Sequence, residues 1–199
     1  MISPKEALKK LIDGNKRFAQ NKSLHPNLGN ELRNALLNGQ KPFAAVLSCS
    51  DSRVPVEIIF DVGVGDIFVI RTAGHVLSKE VLGSLEYATN SLGVKLIMIM
   101  GHDNCGAVKS ALEIYSEDKY HEFSDNLQSL LGHIYPAFDD LDFKSNDNLL
   151  QDAVESNVNY QLSDLVKKDA YLAKKINEKK IKLIGAIYRM DSGLIELIE

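Results

Sequence analysis

The chain has no tryptophan, five prolines and only two cysteines among its 199 residues. Two cysteines cannot build a disulfide framework, so the fold must rest on a packed apolar core. They are not spaced as Cys-x-x-Cys, which excludes a thioredoxin-like redox pair. Walker and dinucleotide glycine patterns are absent, and with them the usual phosphate cradles. No apolar run approaches the roughly 20 residues of a membrane span. The start, Met1-Ile2-Ser3-Pro4-Lys5-Glu6, lacks the apolar core of a signal peptide. The net charge of −4 leaves no basic field for nucleic acid. These absences predict neither a membrane nor a nucleic-acid partner and, with Met1 as the natural start, a cytoplasmic protein whose thiols stay reduced.

What is present reads as one α/β domain (1–199), with an N-terminal helical arm (1–40) and an α/β core (41–199). Ser3-Pro4-Lys5-Glu6 is a helix start: Ser3 caps, Pro4 suits the first turn and Glu6 closes a capping box. Ala7, Leu8, Leu11, Ile12 and Phe18 then share one helical face. A second helix is predicted over 30–38, ended by Gly39. The apolar runs 43–47, 67–70 and 96–100 predict strands covered on both faces, as in a parallel sheet. A helix from about Ser78 joins the last two as a right-handed βαβ unit. Segment 116–148 is polar and irregular, with a helical patch at 127–134. Helical spacing resumes through Val154, Val158, Leu162, Leu165 and Val166. Runs 181–187 and 194–198, joined by Asp191-Ser192-Gly193, predict a hairpin at one sheet edge. The expected fold is therefore a mostly parallel central β-sheet flanked by helices. The lysine-rich stretch 167–182 reads as a solvated helix face.

The chemistry centres on both cysteines. Cys49 follows the first predicted strand, and His102 and Cys105 follow the third. Two thiolates and an imidazole are a three-residue zinc set, and three protein ligands leave the open position of a catalytic site. Open α/β sheets gather such groups beyond the carboxyl ends of strands where strand order reverses. Gly101 and Gly106 flank the pair and are read as permitting close backbone approach. Arg would have to stand six residues after Cys49 for cysteine-phosphatase chemistry, and Pro55 stands there. Asp51 and Arg53 follow Cys49 closely. They are either a surface ion pair of little energy or a charged pair working beside the metal. In the second case Arg53 keeps Asp51 ionised and prevents it from becoming a fourth ligand.

Three runs carry a family resemblance: 49–55 (Cys-Ser-Asp-Ser-Arg-Val-Pro), 65–71 (Gly-Asp-Ile-Phe-Val-Ile-Arg) and 101–108 (Gly-His-Asp-Asn-Cys-Gly-Ala-Val). Together with Gly14-Asn15-Lys16-Arg17 and Gly185-Ala186-Ile187-Tyr188, they resemble a β-class carbonic anhydrase over nearly the whole chain, with 116–148 the least similar part. The resemblance implies one Zn²⁺ per chain on Cys49, His102 and Cys105, with Asp51 and Arg53 as catalytic dyad. It implies reversible hydration of CO₂ to bicarbonate through zinc-bound hydroxide. Gln40, Phe68, Tyr87 and Gly106 match substrate-binding positions; read alone, Phe68 and Tyr87 are ordinary core residues. A homodimer or homotetramer is implied, with the N-terminal helix against a neighbour.

Val46 stands where members with an inhibitory bicarbonate site carry Trp, so no strong bicarbonate cooperativity is expected despite Arg71. His25, His75, His121 and His133 are candidate proton shuttles, His75 first. Two other readings stay open: hydrolysis of a CO₂ analogue such as carbonyl sulfide or carbon disulfide on the same scaffold, and a non-catalytic zinc protein with Asp51 on the metal.

Overall fold

A computed structural model describes residues 2–117, 123–143 and 148–198. Its centre is a five-stranded sheet ordered β2-β1-β3-β4-β5. The strands are β1 (Ala44–Cys49), β2 (Ile67–Thr72), β3 (Leu96–His102), β4 (Lys182–Tyr188) and β5 (Ile195–Ile198). β1 pairs in parallel with β2 and β3, and β3 with β4; β5 runs antiparallel along β4 as the expected edge hairpin. The chain thus leaves β1 toward β2 and then crosses to β3 on the opposite side. The reversal of strand order falls between β1 and β3, whose carboxyl ends carry Cys49 and His102.

Alternation along the central strands explains the two cores. Ala45, Leu47, Ile97 and Ile99 face one side; Ala44, Val46, Leu96 and Met98 face the other. On the first side lie α4 (Lys79–Asn90), α5 (Gly106–Glu117), α6 (Asp125–Gly132), α7 (Leu149–Lys168) and α8 (Ala170–Asn177), contributing residues such as Leu85, Val108, Leu131, Val158 and Leu172. On the second lie α1 (Pro4–Ala19) and α3 (Val56–Ile59), with Ala7, Leu11 and Ile59 buried. α1 begins with the expected capping box of Ser3 and Glu6. Its buried Asn15 donates to the carbonyls of Ile59 and Gly193 and accepts from the Ile195 N–H, tying α1 to both α3 and the hairpin. Among the described residues no helix is long and apolar enough to cross a membrane.

Several expectations shift. β1 and β3 run further than their apolar cores, because ladder pairing continues through Cys49 opposite Thr72 and His102 opposite Tyr188. Both residues therefore end strands instead of following them. β2 is an edge strand and half-buried along most of its length, not covered on both faces. The predicted helix at 30–38 is α2 (Asn30–Ala35) followed by a 3₁₀ turn ending at Gly39, and α2 buries no residue. The lysine-rich stretch is interrupted at Asp169, which ends α7 and caps α8 through Leu172 N–H.

Asp61 anchors the segment after α1. Its buried carboxylate pairs with Arg17 Nε at 2.6 Å and accepts the N–H groups of Leu24 and His25. Burial pushes this carboxyl up, but the Leu24 N–H, Arg17 and the His25 N–H outweigh it and hold the group below its ordinary range. The stabilisation is thus full above the unfolded carboxylate range of about 4 and is lost as pH falls through the folded-state value. Asp61→Asn is expected to lower the unfolding free energy by about 1–3 kcal/mol at neutral pH. In urea titrations the gap to wild type should narrow in acid. Equal stability at neutral pH would contradict this anchor.

Candidate metal centre

The centre is built where strand order reverses. Cys49 ends β1, His102 ends β3, and Cys105 precedes the first turn of α5. Cys49 Sγ, Cys105 Sγ and a ring nitrogen of His102 lie within 4.8 Å of one another, and all three residues are buried. The sulfurs are 3.9 Å apart, so the thiols are free. Tetrahedral ligation with zinc–sulfur bonds of about 2.3 Å sets two sulfurs roughly 3.8 Å apart, so the spacing fits a shared ion.

The imidazole is oriented for the same purpose. His102 Nδ1 lies 2.9 Å from the carbonyl oxygen of Asp103, an obligate acceptor, so the ring proton sits on Nδ1. Nε2 is left with a lone pair and no hydrogen-bond partner, although the ring is fully buried. An orphaned buried nitrogen beside two thiols is what a bound cation would satisfy. The thiols are poised unequally. The Cys105 thiol donating to its sulfur is the largest influence pulling Cys49 down, to about 3, with help from the N–H of Gly74 at 3.4 Å. The same contact, then burial, pushes Cys105 up, and the N–H groups of Val108 and Ala107 at the start of α5 oppose it. A sulfur pair that readily carries a thiolate suits a soft-ligand metal site.

Asp51 and Arg53 form a fork-to-fork pair beside this group. Arg53 Nε and Nη2 donate to the two carboxylate oxygens at 3.0 and 2.8 Å, and Arg53 N–H adds a third bond at 2.9 Å. The Arg53 side chain is the main cause holding the Asp51 carboxyl far below its ordinary range, against the effect of burial. Asp51 Oδ2 stands 4.0 Å from His102 Nε2. Arg53 also reaches the Asn104 carbonyl, which fastens the dyad to the His102–Cys105 turn. Arg71, which matches an arginine of the inhibitory bicarbonate site but is also found where that site is absent, donates to the carbonyls of Cys49 and Asp51 at 2.9 and 2.7 Å. It holds the turn carrying the dyad.

Gly106 adjoins Cys105, but Gln40, Phe68 and Tyr87 do not converge here within one chain. Phe68 and Tyr87 make a ring pair with centroids 6.2 Å apart. Phe68 pairs with Ala45, four residues before Cys49 on β1, which is about 13 Å along a strand. Gln40 is exposed just before β1 begins, at the same distant end. Gly101 is required where α7 meets β3, since a Cβ there would lie 2.7 Å from Val158 Cγ2. At Gly106 a Cβ would meet nothing, so no close approach demands that glycine; it opens onto free space.

His75 is fully buried, and its Nε2 lies 3.0 Å from Asn157 Nδ2. Burial pushes it down to about 4, against the pull of Cys49. A neutral, enclosed ring cannot pass protons to solvent, which overturns its place as first candidate shuttle. His25 is exposed and His133 half-buried, while His121 lies outside the described residues. Sequence reasoning missed the network behind Cys49. Asn157 donates to the Gly74 carbonyl, Gln161 donates to Asn157, and the Leu77 N–H donates to Gln161. Helical spacing on α7 marks Asn157 and Gln161 as core positions, and polar residues there were the available signal.

A sequence model of the carbonic anhydrase family matches residues 44–195. The chain is 38% identical over 195 residues to the carbonic anhydrase of Mycolicibacterium smegmatis, covering 98% of this chain and 93% of that protein. It is 35% identical over 191 residues to carbonic anhydrase 2 of Mycobacterium tuberculosis, covering 96% and 91%. Among solved structures it resembles the β-carbonic anhydrase CcaA with a TM-score of 0.77 and 27% identity, over 98% and 88% of the two chains. It resembles the β-carbonic anhydrase CafA of Aspergillus fumigatus with a TM-score of 0.73 and 28% identity, over 98% and 90%.

Because Arg53 is the main cause of the depressed Asp51 carboxyl, Arg53→Ala is expected to raise that group toward the ordinary range near about 4. Carboxyl carbon shifts followed by NMR across an acid titration of metal-free protein would measure it. An unmoved Asp51 would show that Arg53 is not what holds it.

Proposed function

This chain belongs to the β class of the carbonic anhydrase family, and we propose that it interconverts CO₂ and bicarbonate using one zinc ion per chain. The observation that carries the reading is the partnerless, buried His102 Nε2 beside two sulfurs 3.9 Å apart, with an arginine-held carboxylate next to them. Cys49, His102 and Cys105 would hold the metal, leaving one coordination position outside the protein. When bound, zinc supplies the Lewis acidity that makes hydroxide available from water near neutral pH.

The chain's own residues do the rest. Asp51 stays ionised and presents Oδ2 as an acceptor on the Nε2 side of His102, where it orients the proton of the attacking oxygen. Arg53 denies Asp51 the freedom to become a fourth donor, and Arg71 and Asn104 keep the turn in place. Arg71 Nε and Nη2 donate to the carbonyls of Cys49 and Asp51, a structural use of this arginine that, together with Val46, supports the absence of an inhibitory bicarbonate site.

Gln40, Phe68 and Tyr87 would complete an apolar CO₂ pocket with one polar contact only if a second copy of the chain brings them to the metal. A homodimer or a homotetramer built from it fits the half-buried edge strand β2, the unburied α2, and Leu24 and Leu37, which are 70% and 80% exposed. The open space at Gly106 leaves room for a small substrate. A cytoplasmic setting would keep both thiols reduced and available to the metal.

Stopped-flow CO₂ hydration on zinc-loaded protein tests the reading from about pH 7 to 9. Fast hydration is expected, abolished in Cys49→Ala and reduced at least about 100-fold in kcat by Asp51→Ala. Hydrogen sulfide release from carbonyl sulfide without CO₂ hydration would move the function to an analogue hydrolase. One zinc per chain with neither activity would leave a non-catalytic zinc protein.

A further inference from the structure

The register of β3 on β4 sets His102 opposite Tyr188. The residues that follow each, Asp103 and Arg189, consequently meet just beyond the sheet. Asp103 is engaged at every polar group it has. Its N–H donates to the Tyr188 carbonyl at 3.1 Å. Its carboxylate takes Arg189 Nη1 on Oδ1 at 2.9 Å and the Met190 N–H on Oδ2 at 3.2 Å. Its carbonyl accepts the Nδ1–H of His102. Arg189 is held on its other side by Glu196 of β5, with Nε at 2.6 Å from the carboxylate.

We propose that Arg189 is a positioning residue for the metal centre, acting through Asp103 to hold the carbonyl that fixes His102 with Nε2 toward the two sulfurs. The chemistry is that of an outer-shell partner. An imidazole can carry its proton on either nitrogen, and only the Nδ1–H form leaves Nε2 free to ligate. The Asp103 carbonyl selects that form, and its position depends on a side chain anchored 86 residues away in sequence by Arg189. The competing reading is that Arg189 merely staples the β4–β5 hairpin through Glu196. Arg189 lines an open cleft of about 680 Å³ with Asp103 and Glu196, so trimming it opens no closed cavity in the core.

The inference rests on zinc binding at Cys49, His102 and Cys105, and the two can fail separately. Zinc affinity would be measured by chelator competition, and the His102 tautomer by nitrogen-15 NMR of metal-free protein. Wild type is expected to bind zinc and to show Nδ1–H. Arg189→Ala should bind at least about 10-fold more weakly and populate the Nε2–H form. Arg189→Lys should recover most of the affinity, and Glu196→Gln should stay within about twofold of wild type, as an outer-shell role acting through Asp103 alone requires. If Arg189→Ala does not fold, Asp103→Asn, which keeps the shape and loses the charge, should show the same loss. Wild-type affinity together with an unchanged tautomer in Arg189→Ala, or in Asp103→Asn if that variant alone folds, overturns the proposal. A loss in Glu196→Gln equal to that in Arg189→Ala assigns the arginine to the hairpin and overturns it too. No zinc binding by wild type would defeat the zinc reading, while the tautomer would still decide the role of Arg189.

Discussion

Two thiols and a partnerless imidazole nitrogen are buried together, and the rest of the structure is arranged around that constraint. A neutral imidazole nitrogen with no hydrogen bond costs about 1–3 kcal/mol when buried, and a thiolate taken out of water costs more. Packing alone gives no reason to place Cys49, Cys105 and His102 Nε2 within 4.8 Å. A cation offsets the burden at once. Two thiolates neutralise a divalent ion, whereas three imidazoles would leave its charge intact. The sheet supplies the convergence: β1 and β3 are neighbours, and strand order reverses between them.

Order around the centre is set by three arginines, one tied to charge and backbone, one to backbone and one to charge. Arg53 grips both oxygens of Asp51 and the Asn104 carbonyl. Arg71 grips the carbonyls on either side of Ser50. Arg189 grips Asp103. The planar guanidinium makes several directed bonds at once, so each arginine fixes the segment it grips. Behind Cys49, the Gly74–Asn157–Gln161 chain does the same with neutral groups, and its obligate donors and acceptors leave one orientation for each amide.

Much of this was legible in the sequence because local patterns carried it. The capping box of Ser3 and Glu6, the apolar runs of β1 and β3 and the His102/Cys105 spacing are short-range signals with a known geometric outcome, and Cys49 was marked by its place at the end of such a run. Asp51 and Arg53 were legible for the same reason: two residues apart in one turn, they can only meet. What was not legible depends on register and depth. The pairing of Phe68 with Ala45 puts that ring at the far end of the strand from Cys49, and nothing local in 67–70 announces it. His75 looks like any loop histidine until α7 closes over it with Asn157. Arg189 meets Asp103 only because β4 lies beside β3 in one particular register.

The central claim is that the three buried donors hold a metal with one position left open. X-ray absorption at the zinc edge, recorded before and after adding hydrosulfide, tests it directly. Two sulfur neighbours per zinc, rising to three with hydrosulfide, is the predicted result. Failure to take up one zinc per chain, or a sulfur count that hydrosulfide leaves unchanged, would contradict it.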